Sequence, residues 1–405
     1  MVLRNTYLAR LAAWREKQVI KVISGVRRCG KSTLLLQYIN QLKASGISDE
    51  QIISINLEDP EFDSLHNHQA LYAYIQKRLC KNKFTYVFID EVQQCVNFEK
   101  AVDGLFIKKR VDLYITGSNA HILSGELATL LSGRYIEINM LPLSFSEYLT
   151  FAGINSKKKA ADHRMALNNY LRFGSFPFTA SLGTDAVMIK TYIDGIFNTI
   201  LIKDIAKRIG VDDISLLENI IKFLSHSVGS PISIKKISDT INSTGRKISV
   251  NTVDVYMHAL TESFIFYHAD RYDIKGKHHL KTLGKYYIVD TGIRNMLLES
   301  SSPDLGHQLE NIVYLELLRR GGRVSIGKLA EKEIDFVVTD TGLAYYQVAA
   351  SVLDPDTLAR ELEGLRKIKD NYPKYLLTLD DIPSSANHDG IIQMNLTDWL
   401  LKQKM

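Results

Sequence analysis

The sequence predicts an α/β protein of several domains that opens on a parallel sheet, and three observations predict it. Apolar runs recur at 18–24, 51–57, 85–90, 111–117 and 135–141 with helix-like stretches between them, and strands that alternate with helices pair in parallel. A glycine-rich turn joins the first run to the first helix. Past residue 150 the alternation stops, and a helical stretch, a basic hairpin and a second mixed segment follow.

The glycine-rich turn is the sharpest element. Residues 25 to 32 read Gly-Val-Arg-Arg-Cys-Gly-Lys-Ser, a complete G-x-x-x-x-G-K-S. The run Val19-Ile20-Lys21-Val22-Ile23 precedes it, and a helix-like stretch from Thr33 to Ile39 follows. Strand, loop and helix in that order mark a phosphate-binding loop, and with it a P-loop NTPase sheet sandwich that takes ATP and Mg2+. Gly25 and Gly30 permit backbone angles that turn the loop's N–H groups inward, and the helix N-terminus adds its dipole to the anion site. Lys31 is expected on the β- and γ-phosphates and Ser32 on magnesium. Arg28, Cys29 and Thr33 complete the expected nucleotide-binding set. Thr33 is read as a cap or packing residue, and Cys29 as a small filler, with redox sensitivity the lesser alternative. One of Arg27 and Arg28 is expected to pair with an acid.

The third run ends Tyr86-Val87-Phe88-Ile89-Asp90-Glu91, the Walker B pattern. Asp90 is expected to hold magnesium through a water, and Glu91 to act as general base on the attacking water. The fourth run ends Thr116-Gly117-Ser118-Asn119. Ser118 and Asn119 are candidates to contact the γ-phosphate or the water, with Thr116 behind them. Asn56, closing the second run, reads either as a residue that holds Glu91 away from water or as a plain strand-end polar residue. Arg134, in Leu131-Ser132-Gly133-Arg134-Tyr135, is the candidate for transition-state charge, in cis or from a neighbouring subunit. Its alternative is a surface arginine after a helix-ending glycine.

These motifs give the chain a resemblance. It is similar to the predicted ATP-binding proteins of bacteria and archaea that join an AAA+-type ATPase core to a C-terminal domain of unassigned function. The matching stretches are 25–33, 88–91, 116–118 and 132–134, with Pro142-Leu143-Ser144-Phe145-Ser146-Glu147-Tyr148 and Tyr170-Leu171-Arg172-Phe173-Gly174-Ser175-Phe176-Pro177. The double arginine inside the loop is the most family-specific of them. The resemblance implies ATP binding and hydrolysis, and no known substrate. Asp204 matches the same pattern without an assigned role.

Bulk composition narrows the class. The 405 residues fit two to four domains. An apolar fraction of 45% supplies ample cores, and a net charge of +5 permits nucleic-acid contact without demanding it. Three cysteines make neither a disulfide framework nor a zinc site. No run approaches the roughly 20 apolar residues of a membrane helix, and the N-terminus carries no cleavage signal. The expectation is a cytoplasmic protein with no membrane contact.

Four domains are expected. Residues 1–150 form the ATPase core and 151–212 a helical lid or linker, with a mobile basic connector at 153–163. Residues 213–290 read as a winged helix-turn-helix: a short helix from Ile234 to Ile241, a glycine turn at 243–247, a second helix from Ser249, then a basic hairpin. Asn251, Thr252 and Asp254 lie where base contacts would occur, and Lys275, Lys277, His278, His279 and Lys281 make the wing. Segment 231–285 holds nine Lys/Arg against five Asp/Glu. DNA contact and protein contact are both open for this module.

Residues 291–405 form an α/β domain that resembles a restriction-endonuclease-like core. Glu310 and Asp335 stand where two metal-binding acids would. Gln347 and Ala349 stand where a further carboxylate and a lysine would be needed, so the fold is expected to be inactive.

Three functions follow from these modules. The first is a Mg-dependent ATPase that couples hydrolysis to conformational change in the C-terminal modules. The second is a nucleotide-switched DNA- or protein-binding regulator with slow turnover, and the third an ATP-dependent nuclease. An arginine acting in trans would require an oligomer.

Overall fold

A computed structural model describes residues 2–120, 133–154, 160–210, 213–298, 304–382 and 385–402. The Leu131-Ser132 approach to Arg134 and the lysines of the expected connector, 157–159, lie outside the described residues. The chain divides into two compact units. One comprises Met1–Leu141 with Glu262–Phe264, the other Pro142–Thr261 with Ile265–Met405.

The first unit is a parallel sheet of β1 (Ile20–Ser24), β2 (Ile52–Asn56), β3 (Thr85–Asp90), β4 (Val111–Gly117) and β5 (Tyr135–Asn139), in the order β2-β3-β4-β1-β5. Every pairing is parallel. Each strand falls within an expected apolar run. β1 and β3 are buried at every position, and strands covered on both faces need continuous apolar sequence. One buried charge interrupts it. Lys21 on β1 pairs with Asp112 on β4, both side chains with no exposed area. Tyr114 donates to Asp112 at 2.8 Å and the backbone N–H of Glu16 at 2.9 Å, which satisfies the carboxylate.

The order of strands places the sequence-distant motifs side by side. β4 runs between β1 and β3, so the loop after β1, the acids after β3 and the polar residues after β4 share one edge. That edge is the carboxyl end, where parallel α/β sheets bind ligands.

The second unit joins helices to a mixed sheet. The stretch Tyr170 to Pro177 makes a buried joint with the helix Thr291–Leu298. Asp290 caps that helix, accepting from Ile293 N–H at 3.1 Å and from the Ser175 hydroxyl at 2.9 Å. At Gly174, φ is +81° and an added Cβ would lie 2.1 Å from Asp290 Oδ1, so the motif is a packing requirement. Asp204 sits within a π-helical segment, Ile200–Ala206, and is buried.

The two helices Ile234–Ser243 and Val250–Glu262 precede the hairpin β7 (Phe266–Asp273) and β8 (His278–Ile288), with β6 (Pro231–Ile232) paired to β8. β9 (Val324–Leu329), β10 (Lys332–Val338), β11 (Ala344–Val348), β12 (Lys374–Thr378), β13 (Ala386–His388) and β14 (Ile391–Asn395) follow. All nine form one sheet, ordered β13-β14-β12-β11-β10-β9-β7-β8-β6. β7 pairs antiparallel with β8 on one edge and parallel with β9 on the other. The expected boundary at 290 therefore does not separate one sheet from another. A hairpin strand has two hydrogen-bonding edges, and its free one was taken by a strand more than fifty residues away, which local pattern does not reveal.

Candidate nucleotide site

The phosphate loop leaves β1 at Ser24 and ends where the helix Lys31–Ala44 begins. Gly25 has φ +148°, and a Cβ there would lie 2.2 Å from the carbonyl oxygen of Met140. Gly30 caps the helix at φ +105°, and Arg28 is exposed at φ +67°. Cys29 is fully buried and burial pushes its thiol up, which suits a filler rather than a redox group. Thr33 is exposed and so does not pack in the core. Arg27 pairs with Glu58 at 2.8 Å.

Lys31 is 3% exposed. Its Nζ donates to the Gly25 carbonyl at 3.0 Å and lies 3.7 Å from Glu91 Oε1. Asp90 accepts hydrogen bonds from Ser32 and Thr116; burial pushes its carboxyl up while these donors oppose the rise. Thr116, read as a supporting residue, joins both acids: its hydroxyl donates to Asp90 and accepts from Glu91 N–H at 3.0 Å. Burial works against the Glu91 charge, but Lys31, Gln93, Arg27 and Ser118 outweigh it and hold the carboxyl below its ordinary range. Ser118 is 1% exposed and Asn119 is buried beside it.

Two expected residues stand elsewhere. Asn56 is exposed and accepts from Glu58 N–H at 3.1 Å, closing its own turn rather than reaching Glu91. Arg134 precedes β5, where its carbonyl accepts from Ile20 N–H at 2.8 Å. It is thus level with the start of β1, about 16 Å of strand from the loop at ~3.3 Å per residue. Its guanidinium pairs with Asp103 and lies over the Phe106 ring. Arg134 thus stands at the end of β1 away from the phosphate loop.

Two contributors escaped the sequence reading. Arg4 is 3% exposed and donates to the carbonyls of Cys29 at 3.2 Å and Leu141 at 2.9 Å, bracing the loop from the N-terminal segment. Gln93 donates to Glu91 and, at 3.4 Å, to Ser118. The position of Gln93 two residues past the Walker B acid was a usable signal. Arg4 had none, since its partners lie 25 and 137 residues away.

In the second unit, Lys275, Lys277, His278 and His279 are exposed at the hairpin tip, while the Lys281 side chain lies outside the described residues. Asn251 is exposed; Thr252 bonds Ser249 and Asp254 approaches His258 at 3.8 Å. Among the described residues no group of three or more His, Cys, Asp or Glu could hold a metal ion. Lys285 of β8 stands beside the C-terminal acids. It lies 3.0 Å from Glu310 and 2.7 Å from Glu333. Asp335 accepts from Val348 N–H at 2.8 Å, Gln347 donates to Glu361 at 3.0 Å, and Ala349 bonds Leu377 through its backbone.

Fold and site together define an AAA+-type ATPase core carrying a C-terminal extra domain. Residues 17–149 match the family described as AAA domain, and residues 164–304 a domain of unknown function, DUF8612. The chain is 40% identical to an uncharacterized protein of Haemophilus influenzae over 99% of each chain. It is 31% identical to an uncharacterized protein of Methanocaldococcus jannaschii, over 94% of this chain and 85% of that one. It belongs to the family of these proteins. A Walker-type ATPase of Pyrococcus abyssi has a similar fold, with a TM-score of 0.50 at 13% identity, covering 73% of this chain and 96% of that one. Among the described residues no helix is long and apolar enough to cross a membrane.

Proposed function

We infer that the protein is a Mg-dependent ATPase that couples hydrolysis to a conformational change in its C-terminal modules. The observation that carries this reading is the convergence of Lys31, Asp90, Thr116, Glu91 and Ser118 at the carboxyl ends of β1, β3 and β4. The residues fit nucleotide and metal. Gly25 leaves a cradle that a side chain would fill, and the oxygens of Ser32 and Asp90 lie against each other, a hard donor pair suited to magnesium. Bound there, the ion would neutralise charge on the phosphates. Lys31 would exchange the loop carbonyls for phosphate oxygens.

Glu91 would take a proton from water as the water oxygen bonds to the γ-phosphorus. The bond from that phosphorus to the β,γ-bridging oxygen breaks, leaving ADP and phosphate. Ser118 would orient the water. Arg134 would contribute only from a neighbouring copy.

A second reading, a nucleotide-switched regulator that contacts DNA through a winged helix, is favoured by the exposed cations at the hairpin tip. One experiment separates the two: ATP hydrolysis by wild type and Glu91→Gln, with and without duplex DNA, at low and high salt. Turnover abolished by Glu91→Gln with ATP still bound supports the ATPase. Binding without turnover in wild type sinks it and favours the switch. Stimulation by DNA that fades with salt assigns the hairpin to nucleic acid.

A further inference from the structure

Gln93 stands in the turn Val92–Gln94, which follows β3 directly. Glu91 opens that turn at φ +52°, the left-handed region that a glutamate enters only when its surroundings compel it. Gln94 N–H closes the turn on the Glu91 carbonyl at 3.0 Å. The effect is to fold the Gln93 side chain back over the carboxylate of Glu91.

The contacts of this amide are lopsided. Nε2 donates to Glu91 Oε2 and lies 3.4 Å from the Ser118 hydroxyl. Oε1 is buried and has no hydrogen-bond partner among the described residues. Ionised Glu91 can only accept, so the nitrogen must be the atom that faces it. Both of the amide's side-chain contacts therefore run through one NH2 group, which spans the base on β3 and the polar residue that ends β4. Asn56, the other candidate to restrain Glu91, is occupied by its own turn.

We propose that Gln93 is a positioning residue for hydrolysis: its NH2 group ties Glu91 to Ser118 and fixes the direction in which the base meets the attacking water. Ser118 then acts partly through this tie, so a change at the end of β4 is transmitted to the base. Losing the tie leaves the phosphate contacts of Lys31 and the loop intact. It leaves Glu91 free to rotate, and misplacement of a base by about 1 Å costs on the order of 100-fold in rate. This proposal rests on the ATPase reading.

The test compares wild type with Gln93→Glu, Ser118→Ala and the double variant. It measures kcat and KM for ATP, the affinity for a non-hydrolysable ATP analogue, and the Tm. Gln93→Glu keeps the length of the side chain and removes its donors. The expected result is a loss of about 10- to 100-fold in kcat, with KM and analogue affinity within about twofold. The double variant should fall no further than the worse single one, because the residues act as a unit. Equal losses in kcat and affinity, additive losses, or an unimpaired kcat would each overturn the proposal. If Gln93→Glu does not fold, Gln93→Met, apolar and of similar length, reads the same loss. A wild type that binds the analogue without turning ATP over would overturn the ATPase reading and the proposal with it. Normal turnover in wild type and in Gln93→Glu alike would overturn the proposal alone.

Discussion

Lys285 Nζ lies 3.0 Å from Glu310 Oε1, and neither side chain has more than 11% of its area exposed. Glu333 approaches the same ammonium at 2.7 Å, and the Tyr287 hydroxyl donates to Glu310 at 2.6 Å. Burial opposes the charge on Lys285, but Glu310, Asp335 and Glu333 outweigh it and hold its pKa above the usual 10.5. The lysine is thus a fixed counter-charge for these acids. Removing one partner of a buried pair costs about 3–5 kcal/mol. Lys285→Met should lower stability by that amount in chemical denaturation, and a loss under ~1 kcal/mol would show the pair to be dispensable. With its raised pKa, the stability that Lys285 contributes is present throughout neutral pH and is lost only as pH rises past 10.5 toward the folded value.

Asp335 titrates with the opposite consequence. Burial, with Glu310 nearby and Lys285 opposing, pushes its carboxyl well above 3.8. The folded state then holds the proton more tightly than the unfolded one, so this residue's contribution to stability falls as pH rises above 3.8. Asp335→Asn removes that dependence. The variant should gain on wild type as pH rises above 3.8. Equal pH slopes in urea denaturation would contradict a carboxyl pushed up by burial.

Gly25→Ala tests the cradle. The added Cβ would meet a backbone oxygen at 2.2 Å, and backbone cannot swing aside as a side-chain tip can. ATP-analogue affinity should fall by more than about tenfold, since misplaced loop N–H groups lose charge-assisted bonds to phosphate. Calorimetric titration is the check, and near-normal affinity would mean that the loop has another conformation to adopt.

Arg134→Ala should leave hydrolysis unchanged at protein concentrations where the chain is monomeric, because the residue pairs with Asp103 far from the loop. If turnover rises with protein concentration and Arg134→Ala removes only that rise, the arginine serves a neighbouring copy. A loss at the lowest concentration would contradict the placement of Arg134 beside Asp103.

Glu91 should remain ionised through the working range, since its carboxyl sits below the ordinary 4.5. Protonation of Glu91 should therefore not limit turnover until pH drops beneath about 4.5. A falling limb well above that would point to another group of the site, Asp90 first, since burial pushes its carboxyl up.

The sheet of the first unit was legible because buried parallel strands are written as uninterrupted apolar runs, and the acids Asp90 and Glu91 because they end such a run. Lys21 was legible only as a polar residue inside one of them; that Asp112 answers it needed the adjacency of β1 and β4. The readings left open share one cause. Sequence neighbourhood alone could not choose between the two readings of Asn56 or of Arg134, which meet Glu58 and Asp103 in the fold, nor show that Lys285 stands beside Glu310. Lys285 was counted among the cations of segment 231–285, although 3% exposure removes it from any external face. Pattern reveals which face a residue lies on, and partners are set by strand order.

The hydrogen bonds between β7 and β9 decide what a protease could do to this chain. A cut between β8 and β9 breaks the backbone that joins them but leaves Arg271, Tyr272 and Asp273 still zipped to Ile326, Gly327 and Lys328. The nicked halves should stay together under native conditions. Expressed separately, each would carry a raw strand edge and seek another to pair with, so the yield of soluble fragments should be poor.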